Sequence, residues 1–242
     1  MNGNKLWDLL YEDEFLLVIN KSSGLLTLPD RFDRDLPNLF TELQRFFPEI
    51  KSVHRLDRYT SGVILFAKDA DTHRYLSTCF EHRKVYKSYY AIVQGVPIYE
   101  SGRIDMPIAK IGGKNRVYIS ETGGKPSVTN FKIVEDFRLY SLLLAKPETG
   151  RLHQIRVHLQ HLGTPLLVDS SYGGKDAFYL SEIKKKYSLG RGKAERPIIS
   201  RQTLHAVSIK FKHPFSGSYE EFHAPLPKDM RATIAQLRKR FG

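Results

Sequence analysis

Phe15-Leu16-Leu17-Val18-Ile19-Asn20 is a continuous apolar run and predicts a buried strand. Lys21-Ser22-Ser23-Gly24 is expected to turn the chain, with Leu25-Leu26-Thr27-Leu28-Pro29 ending the hairpin. After a charged loop from Asp30 to Asp35, the spacing of Leu36, Leu39, Phe40, Leu43, Phe46 and Phe47 predicts an amphipathic helix, closed by Pro48. Val63-Ile64-Leu65-Phe66-Ala67 predicts a second buried strand. Asp69 can cap a helix reaching about Arg83, with Tyr75, Leu76 and Phe80 inward. Lys84 to Gln94 then alternates like a strand and stops at Gly95.

The pattern from Arg103 to Ala145 is of several more strands. Arg116 to Ser120 and Lys125 to Val134 flank Glu121-Thr122-Gly123-Gly124, a hairpin signal, and Leu139 to Leu144 is a further buried strand. Leu152, Ile155, Leu159 and Leu162 share one helical face, with Thr149 as the expected N-cap and Gly163 and Pro165 as the stop. The other faces carry Arg151, His153, Gln154, Arg156, His158 and His161 with no Asp or Glu, so they are expected to face an active site or a polyanion. Leu204 to Phe211 reads as a strand, Tyr219 to Phe222 as its antiparallel return, and Met230, Ile234, Leu237 and Phe241 as one face of a final helix. Strands dominate, with helices laid against them. The expectation is an α+β fold on a mixed or antiparallel sheet, one catalytic domain over residues 1–242, with a basic insertion at about 175–201.

Composition adds one thing to this picture. The 242 residues are 41% hydrophobic and 26% charged, an ordinary globular balance, but the net charge is +12. Such an excess of Lys and Arg points to a polyanionic partner, and 13 Tyr with 14 Phe suit one with bases to stack on. A lone Cys79 excludes an internal disulfide and any cysteine-based zinc site. No segment has the roughly 18 apolar residues needed to span a bilayer as a helix, and the cytoplasm is the expected location.

Candidate chemistry narrows quickly. His158 and His161 are spaced to sit side by side on a helix, but no acidic residue accompanies them, so a metal site is not expected. No Gly-x-x-x-x-Gly-Lys-Ser/Thr phosphate loop and no nucleophile elbow occurs. What stands out is His54-Arg55-Leu56-Asp57-Arg58-Tyr59-Thr60-Ser61-Gly62. It sets one carboxylate among cations, which favour its charged form, on a glycine-containing bend at the mouth of a buried strand. Lys87 and Tyr89 alternate onto one face of the Lys84–Gln94 strand, a candidate platform for a base.

These stretches resemble, in order, the motifs of the RluA-type RNA pseudouridine synthases. His54-Arg55-Leu56-Asp57 with Thr60-Ser61-Gly62 is similar to the family signature, and Lys87-Ser88-Tyr89-Tyr90-Ala91 to its second motif. Thr149 through His158 resembles the third, with Gly163, Pro165, Asp169, Tyr172 and Gly173 behind it. Leu204-His205-Ala206 resembles the late strand motif, and Asn20-Lys21-Ser22-Ser23-Gly24-Leu25 the opening one, with Ser22 where the family usually has Pro.

The resemblance implies isomerisation of uridine to pseudouridine in structured RNA, by flipping the base out of its stack, with no metal and no cofactor. It implies Asp57 as the catalytic aspartate, acting at C1′ or on the 2′ proton. Arg156 would pair with that carboxylate, and Tyr89 would stack on the target base and help with its C5 proton. Arg55 would fill the vacated stack, and His54, Thr60, Arg151, His153, Gln154 and His205 are the remaining RNA-contact candidates. The expected partner is 23S rRNA, a tRNA anticodon stem-loop, or both, bound by a monomer that lacks the S4 domain of many relatives. The competing class is a non-catalytic RNA-binding or ribosome-assembly protein on the same scaffold. A two-carboxylate glycosidase is disfavoured because Asp169 is the only other acid in the motifs.

Overall fold

A computed structural model of the chain describes residues 6–113, 115–184, 187–188 and 194–242. In chain order the strands and helices are β1 (Trp7–Glu12), β2 (Leu16–Lys21), α1 (Leu39–Gln44), β3 (Lys51–Ser52), β4 (Ser61–Ala67) and α2 (Ala70–Glu81). There follow β5 (Tyr86–Gln94), β6 (Ser101–Asp105), β7 (Ile108–Lys110), β8 (Val117–Ile119), β9 (Val128–Asp136) and β10 (Tyr140–Pro147). The chain closes with α3 (Gln154–His161), β11 (Leu204–Lys212), β12 (Tyr219–His223) and α4 (Lys228–Phe241). Two compact units result, Met1–Tyr89 with His205–Pro225, and Tyr90–Leu204 with Leu226–Gly242.

In the first unit β4 is buried at every position, as the unbroken apolar run Val63–Ala67 requires, and Ser61 at its start is buried with it. It pairs antiparallel with β2 and β3, and parallel with β11, which arrives from the far end of the chain and is followed antiparallel by β12. Leu76 on α2, Leu39 and Leu43 on α1, and Ile209 and Phe211 on β11 close the core around β2 and β4. Asp69 caps α2 as expected, accepting from the Asp71 and Thr72 amides.

The expected hairpin partner of β2 is not Leu25–Pro29. It is β1, whose register shifts between Leu9 and Tyr11, so its side chains do not alternate cleanly and carry no period-two signal. Helix α1 is shorter than the spacing of apolar residues suggests: Asn38 caps it, accepting from the Thr41 amide, and Phe46 lies beyond its end, largely exposed.

In the second unit β9 pairs antiparallel with both β10 and β6, while β7 and β8 form a separate two-stranded sheet. This corrects the expected pairing of 116–120 with 125–134. Gly124, at φ +94°, lies so close to β7 that a Cβ there would sit 2.9 Å from the Ile108 carbonyl carbon. Lys125 and Ile108 exchange both backbone hydrogen bonds (2.8 and 3.0 Å), so the Glu121–Gly124 bend lays the chain on β7, and β8 turns back on β7 earlier. The basic insertion at 175–201 also contributes to the core, where Phe178, Ile183 and Ile199 join Ile92, Leu142, Met230, Ile234 and Leu237. Its basic residues Lys185, Lys186, Arg191 and Lys193 lie outside the described residues.

Helix α3 departs most from its sequence reading. Thr149 does not cap it, and the helix starts at Gln154 behind His153, which takes a left-handed conformation (φ +50°). Gln154, Arg156 and His158, placed by periodicity on polar faces, are buried with Ile155, Val157 and Leu159. Each is compensated: His158, for example, pairs with Thr129 Oγ1 (2.9 Å) and the Met106 carbonyl (3.1 Å), and burial holds its pKa below the usual histidine range.

Candidate active site

The first unit builds a rigid loop around Asp57. The buried Lys21 ammonium, at the end of β2, donates to the carbonyls of Ser22 (3.0 Å), Leu25 (2.8 Å) and Arg58 (3.2 Å). Gly24 N–H also donates to Arg58 O (2.8 Å), Ser23 Oγ donates to Tyr59 O (2.7 Å), and Thr27 Oγ1 donates to Leu56 O (2.9 Å). The carbonyls on either side of Asp57 are therefore all engaged by residues 21–27, and Asp57's own carbonyl accepts from the Thr60 amide (3.1 Å). Loop carbonyls tied at this density leave the intervening residue little room to move.

Behind the loop, Gly62 at φ +118° presses on β11: a Cβ there would lie 2.1 Å from Ala206 O. Ser61 Oγ pairs with His205 Nδ1 (3.0 Å), and His205 Nε2 donates to Ala224 O (3.2 Å). His54 Nε2 accepts from the Leu65 amide (3.0 Å), and its ring stacks on Phe80 with centroids 4.8 Å apart. Burial, with the charge of Lys87 nearby, pushes the His54 pKa down to about 3, so the ring is neutral.

Strand β5 sets Tyr89 against this core, and the Asp57 charge lies near enough to its phenol to add to burial in raising the pKa well above the tyrosine range. Tyr89 is therefore a neutral phenol at any physiological pH. Two residues earlier on the same face, Lys87 lies over the Phe80 ring (5.8 Å), its pKa lowered to about 8 by burial.

The second unit builds a fixed arginine. Arg156 Nε and Nη2 donate to the two oxygens of Asp169 (2.6 and 2.9 Å), the side chains being 4% and 1% exposed. The Gln202 amide oxygen accepts from Nη2 (2.8 Å) and Nη1 (3.2 Å) in the orientation its neighbours demand. The Tyr172 ring lies under the guanidinium, 4.7 Å from its centroid to Cζ. Gln154 steadies the approach to α3. Its oxygen accepts from Thr149 Oγ1 (2.7 Å) and the Arg151 amide (3.0 Å), and its NH2 donates to Val128 O (2.9 Å) and Thr129 Oγ1 (3.0 Å).

Of the ten residues singled out in the sequence, Asp57, Tyr89, His54, Thr60 and His205 fall in the first unit with Arg55, whose side chain is exposed. Arg156, Gln154, His153 and the exposed Arg151 fall in the second. His54, Gln154 and His205 turn their polar atoms into the protein. Lys21, Asp169 and Tyr172 were named only as motif positions, without a role at the site, and Gln202 was not named at all. Lys21 and Asp169 had a signal, a charged residue at the end of an apolar run (Leu16–Ile19, one residue before Lys21, and Leu166–Val168), whereas nothing local marks Gln202. Among the described residues no three His, Cys, Asp or Glu side chains are placed to hold a metal ion, and no helix is long and apolar enough to cross a membrane.

Residues 15–161 match the family model described as RNA pseudouridylate synthase. The ribosomal large subunit pseudouridine synthase D of Vibrio parahaemolyticus is 35% identical over 238 residues, which cover 96% of this chain and 71% of the relative. That of an Escherichia coli strain is 33% identical over 247 residues, 97% of this chain and 71% of the relative. Among solved structures, human RNA pseudouridylate synthase domain containing 4 superposes with a TM-score of 0.71 at 25% identity, covering 95% of this chain and 92% of that one. Human RNA pseudouridylate synthase domain containing 1 gives 0.69 at 26%, covering 98% of both. The α+β fold on mixed and antiparallel sheets is thus that of enzymes that isomerise uridine within RNA. The chain belongs to the RNA pseudouridylate synthase family, in its RluA-type branch.

Proposed function

We propose that this RNA pseudouridine synthase acts through Asp57, with Arg156 as the cation that serves its carboxylate and Tyr89 stacking on the flipped uracil. The observation that carries this reading is the locked loop. Asp57 is the only acid in residues 54–62, its neighbours' carbonyls are tied down, and its charge is felt by the Tyr89 phenol. In the reaction the N1–C1′ bond breaks, C5 joins C1′, and C5 gives up its proton while N1 gains one. Asp57 acts on the ribose. Tyr89, held as a phenol, offers a π-face and an O–H donor but no base. Arg55 and Arg151, both exposed, suit RNA contact. His54, Thr60, Gln154 and His205 support the site by holding backbone.

The substrate we propose is large-subunit ribosomal RNA, after the relatives' names, with a tRNA stem-loop as the second candidate. The enzyme is proposed to work as a cytoplasmic monomer. Pseudouridines mapped in total RNA from cells with and without the gene test the substrate: sites lost from 23S rRNA support it, and sites lost only from tRNA redirect it. Purified Asp57→Asn tests the chemistry, with no pseudouridine expected on a stem-loop that the wild type converts. Product from that variant at the wild-type rate would remove Asp57 from the mechanism.

A further inference from the structure

The second unit brings two guanidinium groups over one aromatic ring. Tyr172, fully buried, has Arg156 Cζ 4.7 Å and Arg116 Cζ 5.4 Å from its ring centroid. Its hydroxyl accepts from the Val117 amide (3.0 Å) and pairs with His153 Nδ1 (2.9 Å). Val117 is the first residue of β8, and His153 is the left-handed residue from which α3 springs. One phenol therefore ties a strand, a helix start and the arginine of that helix into a single assembly.

Asp169 and Gln202 both accept hydrogen bonds from the Arg156 guanidinium. A two-bonded carboxylate lets the guanidinium plane pivot about the axis joining the two groups, and the single Gln202 oxygen restrains that pivot only from the edge. A ring packed on the face stops that pivot, and a π-face attracts the cation as well. Arg116 donates to the Ser171 carbonyl and lies over the same ring.

We infer that Tyr172 is the positioning residue of the active-site arginine: its ring sets the plane of the Arg156 guanidinium, and its hydroxyl locks that ring to β8 and to the start of α3. This rests on the reading of Arg156 as the group that serves Asp57. Because charge placement in such sites is sensitive at the ångström scale, losing the ring is expected to slow the chemical step by about 10²-fold. Keeping the ring without the hydroxyl, as in Tyr172→Phe, is expected to restore most of that rate.

The test is a double-mutant cycle on single-turnover rates with a stem-loop RNA, pairing Tyr172→Leu and Tyr172→Phe with Arg156→Ala. Thermal melting of each variant confirms that it is folded at the assay temperature. Tyr172→Leu should lower the single-turnover rate in the wild-type background with RNA affinity changed less than threefold, and should have no further effect when Arg156 is already Ala. An equal loss in both backgrounds, or no loss in the wild type, overturns the inference. If Tyr172→Leu does not fold, Tyr172→Phe carries the same comparison, and if Arg156→Ala does not fold, Arg156→Lys, which keeps a cation beside the buried Asp169 but has no plane to set, takes its place with the same expected outcome. An Arg156→Ala enzyme as fast as the wild type would instead remove the reading of Arg156 on which the inference rests.

Discussion

Gly62 and His54 show how individual positions near Asp57 are spent on shape rather than on RNA. Gly62 takes a positive φ with the Ala206 backbone against its α-carbon, so it faces both a conformational and a steric demand that only glycine meets. Gly62→Ala is expected to cost about 3 kcal/mol or more of stability, because backbone, not a flexible side chain, would have to move. Denaturant unfolding of the variant checks this.

His54 makes a pH prediction. Its folded pKa, about 3, is below the unfolded value near 6.5, so between these the unfolded chain binds the extra proton. The stability tied to its neutral ring is complete above about pH 6.5 and is lost as pH falls toward 3, by up to about 1.4 kcal/mol per pH unit. Melting curves of wild type and His54→Gln should converge as pH drops through this window, and parallel curves would contradict the assignment. In the sequence His54 sits beside Asp57 and invites a role in RNA contact. Its inward turn depends on Leu65 and Phe80, which lie eleven and twenty-six residues further on.

At the level of elements, those written in a run of one period were legible. The buried strand β4, the Asp69-capped α2, the β11–β12 return and the apolar face of α4 match their patterns because local sequence and burial agree there. Helix α3 did not follow its pattern, since hydrophobic spacing assumes that polar residues face water. Here an internal partner exists for each buried polar group, and one such pair, Arg156 with Asp169, spans thirteen residues. Removing one member strands a charge in the interior. Asp169→Asn is expected to destabilise the fold by about 3–5 kcal/mol, measurable by urea unfolding, while a matched apolar replacement of both partners costs less. The hairpin expected at residues 121–124 failed for a related reason. A turn signal locates a bend but leaves open which strand the chain bends onto.

For the molecule as a whole, the motifs were legible in order along the chain, and the resemblance they carried was to the family that the comparisons show. Charge was equally plain, and a net +12 has a measurable consequence for an enzyme acting on RNA. Neutralising about five phosphates of a single-stranded loop gives a slope of about −3.5 in log K against log salt. Binding titrations between 50 and 300 mM salt should show it, and Arg151→Ala should reduce the slope by about 0.7 if that exposed side chain meets a phosphate.

Strand β11 gives the site a timetable. Ser61 and His205, which meet behind the Asp57 loop, are 144 residues apart in the chain. Ribosomes add about 5–20 residues per second, so the loop emerges roughly 7–30 s before the strand that backs it has been made. Until then Gly62 has no Ala206 to lie against and Ser61 has no histidine. A nascent copy tethered to the ribosome is therefore a cationic chain surrounded by RNA, carrying its aspartate on an unfinished loop. The loop gains that backing only once residues 205 and 206 have been added.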